Sequence, residues 1–184
     1  MKHYSMLTPD YLDSLDIPLV KDGKTKCDYL NIESAFDIET TSTIYNGEKS
    51  AFMYVWMFGI GYGNDVFYGR TWEEFLSLCE LLGAYFDLHE NKRLITYVHN
   101  LGYEFQFMRK LFNWDGVFSI NERKPIKALC DIGIEFRCSY ILSGYSLASL
   151  AKNLTTHKVK KMEGDLDYEL IRHYETALTE KEWG

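Results

Sequence analysis

Asp37 and Glu39 are the residues of this 184-residue chain whose types and spacing most suggest chemistry. Both lie in Glu33–Glu39, where Phe36 and Ile38 alternate with Ala35, Asp37 and Glu39, and this alternation predicts a strand. Side chains two apart on a strand share a face, so the two carboxylates stand side by side. Neighbouring carboxylates repel unless a cation lies between them. The apolar neighbours predict an interior strand, and hard divalent ions such as Mg²⁺ or Mn²⁺ prefer oxygen ligands. A strand end facing solvent is the other reading. Thr40, Thr41 and Ser42 follow, with hydroxyls that suit a phosphate contact or a turn.

A second candidate region runs from Tyr97 to Phe107. Here a short strand over Leu94–Val98 gives way to a helix that carries Tyr103, Phe107, Met108 and Leu111 at helical spacing. Asn100 sits at the junction, and Glu104 falls in the first turn, near the favourable end of the helix dipole. Read alone, Asn100 is an N-cap and Glu104 a solvated acid. Read with Asp37 and Glu39, the acids converge on a cation pair. Strand ends and helix N-termini are common places for ligands.

Other elements must position these groups. Residues 51–62 form a continuous apolar run, which predicts a central strand buried on both faces, and Val66–Tyr68 a short return strand. The glycines at 59, 61 and 63 do not form a phosphate loop, because they open no helix and no Lys-Ser/Thr follows. Thr71 caps a helix with Phe75, Leu78, Leu82 and Phe86 on its apolar face and Glu73 and Glu74 in its first turn. Short strands follow at Val117–Ile120, Ile126–Leu129 and Ile134–Cys138, with Gly133 turning into the last of them. Ser146 caps a short helix bearing Leu147, Leu150 and Leu154. The order predicts an α/β fold with a central mixed sheet flanked by helices. Residues 1–32, broken by Pro9, Pro18 and Gly23, read as an N-terminal extension of turns and short helical pieces.

Composition excludes several classes. Hydrophobic residues make up 46% and aromatics 16%, too many for a disordered chain. No apolar run reaches the length of a membrane span, and the N-terminus has no signal-peptide core. A soluble, cytoplasmic protein is expected. Four cysteines without metal-ligand spacing read as free thiols in a reducing compartment. The net charge of −7 argues against strong nucleic-acid binding by this chain alone, but not against a nuclease whose carboxylates metal ions neutralise. Near the end, Thr179 and Glu182 fit a capping box, yet only two residues follow, which suggests a helix and a chain cut short.

Taken together, these motifs resemble family B DNA polymerases of the viral and organellar, protein-primed branch. Asp37-x-Glu39 resembles their first exonuclease motif, and Asn100, Tyr103 and Glu104 their second. Ser139 lies where the branch has a Ser/Thr element, and Gly164–Tyr168 resembles the Gly-Asp-x-Asp-Tyr stretch before the third motif. The resemblance covers about Ser34 to the C-terminus. It implies a ribonuclease-H-like 3′→5′ exonuclease with two Mg²⁺ or Mn²⁺ ions, about 4 Å apart. It implies Asp37, Glu39 and Glu104 as catalytic metal ligands, with Thr40, Asn100, Tyr103, Ser139 and Tyr168 contacting a single-stranded DNA 3′ end. The rest of the polymerase or a terminal or replication protein is the implied partner.

The departures are specific. Glu104 replaces the usual Asp, and Glu163 stands where the family often has Lys. The third motif, Tyr-x-x-x-Asp, is absent, so an incomplete domain over residues 33–184, weak or inactive alone, is expected. Two alternatives remain. One is a non-catalytic nucleic-acid- or partner-binding module. The other is a complete nuclease whose fourth carboxylate is Asp131, Asp165 or Asp167.

Overall fold

A computed structural model of the chain describes residues 1–21, 24, 26–61, 65–154 and 170–183. The first elements are short: β1 (Lys2–His3), a 3₁₀ turn at Tyr4–Met6, α1 (Pro9–Asp13), β2 (Leu19–Lys21) and β3 (Asp28–Leu30). Two long strands follow, β4 (Ser34–Tyr45) and β5 (Glu48–Ile60), then β6 (Val66–Gly69) and α2 (Trp72–Phe86). Next come β7 (Lys92–Val98), α3 (Leu101–Met108), β8 (Trp114–Ser119), β9 (Pro125–Cys130) and β10 (Ile134–Cys138). Three short helices close the series: α4 (Ser139–Ser143), α5 (Leu147–Asn153) and α6 (Glu180–Trp183).

The fold is α/β with a large mixed sheet. Its main path is β1-β6-β5-β4-β7-β10-β9-β8, and β3 joins β7 while pairing with β2. Three central strands, β4, β7 and β10, run parallel; the hairpins β4–β5 and β8–β9 are antiparallel. The N-terminal residues are built into this sheet, since β1 pairs with β6 and β3 with β7. Leu7 and Leu12 belong to the core.

Alternation along the parallel strands sorts their side chains into two faces. Phe36 and Ile38 of β4, Leu94 and Val98 of β7, and Ile134 and Phe136 of β10 are buried in the core. Helix α2 closes that face with Phe75, Leu78 and Leu82, and Phe75 stacks on Phe36 at a ring separation of 4.4 Å. Phe112, just after α3, packs edge-on against Phe75. The N-terminus of α2 carries the expected cap, in which Thr71 and Glu74 form a reciprocal capping box. The other face, carrying Ala35, Asp37, Tyr97 and Arg137, is more open.

Trp56 ties β5 to β6 and α2. It is fully buried, its indole N–H donates to the Thr71 carbonyl at 2.8 Å, and its ring lies over Gly69. A Cβ at Gly69 would collide with that ring. Gly69→Ala is therefore expected to destabilise the fold by about 1–3 kcal/mol, the usual cost of overpacking a filled core. Urea unfolding checks this; an unchanged midpoint contradicts it.

The β4–β5 hairpin is longer than its sequence suggests. Thr40, Thr41 and Ser42, for which a turn was one reading, continue the strand, and the true turn is at Asn46-Gly47 with both residues at positive φ. The middle of β5 is buried on both faces, as expected, from Met53 to Trp56. All four cysteines are buried free thiols. Among the described residues no helix is long and apolar enough to cross a membrane.

Residues 170–183 strap across this hairpin. The Arg70 guanidinium donates to the carbonyls of Tyr54, His173 and Thr176. Arg172 is buried, its backbone N–H donates to Thr41 Oγ1 at 3.3 Å, and its side chain grips Glu182 at 2.5 and 3.0 Å. Thr179 and Glu182 form the expected capping box at the start of α6. The Thr179 N–H, with Arg172, holds the Glu182 carboxyl down at about 2, against an ordinary 4.5. A depressed acid stabilises the fold above its unfolded value and loses that contribution as pH falls through its folded one. The wild type is thus expected to exceed Glu182→Gln in stability above about pH 5, with the advantage vanishing near pH 2. Paired acid-unfolding curves measure it; a constant offset between them contradicts it.

Candidate functional site

Parallel register builds the site. Phe36 of β4 pairs with Val98 of β7, and Val98 with Cys138 of β10. The next residue of each chain segment is Asp37, His99 and Ser139, so these three form a row where β7 and β10 end. Ligands in parallel-strand sheets commonly bind at the C-terminal strand ends, where loops and helix starts converge. A cleft of about 280 Å³ opens there, lined by Asp37, His99, Ser139, Tyr97 and, from α5, Leu147.

Asp37 faces this cleft. Its Oδ1 accepts from the Ile38 N–H at 3.0 Å. Desolvation by the cleft walls around this otherwise solvent-accessible residue raises its carboxyl above the usual range, only partly offset by that bond and by His99 nearby. Glu39, two residues on and half-buried, lies at a bulge, since Glu39 pairs with Val55 but Thr40 with Met53, leaving Tyr54 as the extra residue. Such a bulge re-aims the residues beside it and is frequent next to functional sites. Past the bulge, Thr40 Oγ1 meets the Tyr103 hydroxyl at 2.6 Å, tying β4 to α3.

Glu104 departs from the simple reading of a solvated first-turn acid. It is 6% exposed, and its Oε2 is buried with no hydrogen-bond partner among the described residues. Burial, helped by the charge of Asp37 and opposed by its own backbone N–H, pushes its carboxyl up to about 7. The two acids therefore feel each other. A buried carboxylate oxygen left without a donor is costly, and a protein keeps one only where something else compensates or where function demands it.

Asn100 occupies the N-cap position of α3 without capping through its side chain. Its backbone is left-handed, at φ 97° and ψ 53°. Asn tolerates that region better than most residues, and such backbone concentrates at functional turns. Ser139 begins α4; its hydroxyl meets His99 Nδ1 at 3.1 Å and donates to the Val98 carbonyl at 3.4 Å.

The structure thus gathers Asp37, Glu104, Thr40, Tyr103 and Ser139 around the ends of the parallel strands, with Glu39 at the β4 bulge and Asn100 on the turn into α3. Tyr168 lies outside the described residues, as do Asp165 and Asp167. Asp131 does not join the site. It precedes β10, at the opposite end of that strand from Ser139, and accepts from Asn113 Nδ2 at 2.9 Å. His99 was not singled out from the sequence, because only the parallel register reveals that it follows Val98 into the same row as Asp37.

Among the described residues, no three or more His, Cys, Asp or Glu side chains form a group that could hold a metal ion. Asp37 and Glu104 still suit a hard cation. Mg²⁺ commonly takes only one or two protein carboxylates and completes its shell with water and substrate phosphate. The partnerless Oε2 of Glu104 supplies a fit for such an ion. No protein-family model, curated protein or solved structure matches the chain.

Proposed function

We propose that this chain is the N-terminal 3′→5′ exonuclease segment of a viral-type family B DNA polymerase, with a ribonuclease-H-like fold. The observation that supports it best is the pairing of Asp37 with the buried, partnerless carboxylate of Glu104 at the C-terminal end of parallel strands. That pair coincides with the first two motifs of the resemblance. The reaction is hydrolysis of the 3′-terminal phosphodiester of single-stranded DNA.

Asp37 and Glu104 would hold Mg²⁺ or Mn²⁺, with Glu39 two residues further along the same strand. Bound there, the ions supply an activated water and neutralise charge on the leaving 3′ oxygen. Thr40 and Tyr103 brace the strand end, and the Tyr103 ring, 41% exposed, offers a stacking surface for a base. Stacking is tolerant of sequence, which suits removal of any terminal nucleotide. Ser139, oriented by His99, and Asn100, on its left-handed turn, reach toward the phosphate. Asp37, Glu39 and Glu104 are three of the four carboxylates that the resemblance implies. The remainder of a polymerase, or a terminal or replication protein, is the proposed partner.

The test is a 5′-labelled single-stranded oligonucleotide with Mn²⁺. Shortening from the 3′ end, lost in Asp37→Ala, supports the reading. Binding without shortening that survives both Asp37→Ala and chelation overturns it in favour of a non-catalytic module.

A further inference from the structure

Away from the cleft, on the same face of the sheet, Glu135 is fully buried between two arginines. Its Oε2 accepts from Arg93 Nη1 at 2.6 Å, and its Oε1 from Arg137 Nε and Nη2, each at 2.6 Å. Two guanidinium charges meet one carboxylate. Lys127 stands opposite Arg137 in the β9–β10 ladder and adds a third cation. This is a local excess of positive charge in a chain whose net charge is −7. Arg137 engages Glu135 through one edge only, and its side chain is 29% exposed.

Arg137 forms one wall of a pocket of about 450 Å³. The pocket exists because β3 pairs with the start of β7 and β4 with its end, so the chain between Leu30 and Ala35 arches away from β7. Ser34 fastens the far side of the arch through the Ile95 carbonyl at 2.9 Å. Tyr29 and Tyr97 give the pocket aromatic walls, Leu30 and Ile95 apolar ones, and Glu33 a carboxylate rim. The Arg137 guanidinium lies over the Tyr29 ring at 5.4 Å, which holds it at the wall. Tyr97 also lines the cleft that holds Asp37, so the two spaces share a wall residue.

We propose that this pocket is a binding site for a nucleoside 5′-monophosphate, with its phosphate on Arg137 and its base against Tyr97. The volume suits a single nucleotide. The free edge of an arginine suits phosphate, and the half-apolar walls suit a base and sugar. The choice of ligand rests on the nuclease reading, since hydrolysis of a 3′-terminal phosphodiester releases a nucleoside monophosphate. The charge and shape of the pocket do not rest on it.

Titration of the whole chain with dAMP in EDTA, followed by NMR or calorimetry, tests this. Binding of dAMP is expected, with inorganic phosphate and deoxyadenosine each much weaker. Arg137→Met is expected to weaken dAMP by at least about tenfold, the scale of one lost charge-assisted contact. Asp37→Asn is expected to leave dAMP affinity unchanged, which separates this pocket from the cleft. Val20→Trp, at an exposed wall of the pocket, is expected to weaken dAMP similarly and decides the matter if Arg137→Met fails to fold. No binding at ~10 mM dAMP, or binding lost in Asp37→Asn but kept in Arg137→Met, overturns the proposal. Binding at Arg137 in a chain that neither binds Mn²⁺ nor trims DNA keeps the pocket and removes the nuclease reading.

Discussion

Without divalent cations at pH 8, Glu104→Met is expected to be more stable than the wild type by about 2–3 kcal/mol. The sign follows from the direction of its shift. Glu104 has a folded-state value raised from 4.5 to about 7. Such an acid costs the fold nothing below its unfolded value, an increasing amount as pH rises toward 7, and a constant amount above that. Each unit is worth about 1.4 kcal/mol, which sets the scale of the cost at pH 8. Methionine fills a similar volume without a charge to bury. The stabilisation is therefore expected at pH 8 and nearly absent at pH 4, where the acid is neutral in both states. Urea unfolding at the two pH values checks it. A variant destabilised at both would show that the carboxylate is held by native partners, contrary to its bare Oε2. Active sites commonly store cost of this kind, and stabilising replacements there usually remove activity.

Asp37→Ala is expected to abolish metal-dependent shortening of single-stranded DNA, by at least about 100-fold. Loss of an outer-shell partner of a metal site already costs 10–100-fold, and loss of a ligand is expected to cost no less. The same substitution removes no core contact, because Asp37 faces the cleft while Phe36 and Ile38 face the core. Folding should be unaffected. Tyr103→Phe provides the contrast. It loses the 2.6 Å contact with Thr40 but keeps the ring, so a loss of about 2–10-fold is expected, the worth of one neutral hydrogen bond. Rates of 3′-end trimming on a labelled oligonucleotide measure both. Equal losses in the two variants would mean that Asp37 positions the strand rather than the ion.

The parts of this site that local sequence specifies were readable in advance. Strand alternation put Asp37 and Glu39 on one face, and the capping boxes at Thr71 and Thr179 marked helix starts that the structure contains. The apolar periodicity of α2 identified the face that covers Phe36. What was not readable depends on contacts between distant segments. The burial of Glu104 comes from how α3 seats against the strand ends, which no first-turn pattern encodes. The row of Asp37, His99 and Ser139 comes from parallel register between segments 40 and 62 residues apart. The bulge at Glu39 and Thr40 inserts Tyr54 in the partner strand, where the apolar run of β5 gives no sign of it. Thr40, Thr41 and Ser42 allow a turn reading because they carry no apolar alternation, although Thr41 is buried in the fold. They are held instead by the β4–β5 ladder and by the strap around Arg172. The extra cations around Glu135 were equally hidden, since Arg93, Lys127 and Arg137 sit on three strands that only the fold brings together.

The central claim is that Asp37 and Glu104 together hold a divalent cation. Calorimetric titration of the chain with Mn²⁺, alongside Asp37→Ala and Glu104→Met, tests it without depending on catalysis. The account predicts saturable binding by the wild type, with protons released near pH 6.5 as Glu104 ionises, and at least about tenfold weaker binding in both variants. Equal binding by all three proteins, or none by the wild type, would contradict it.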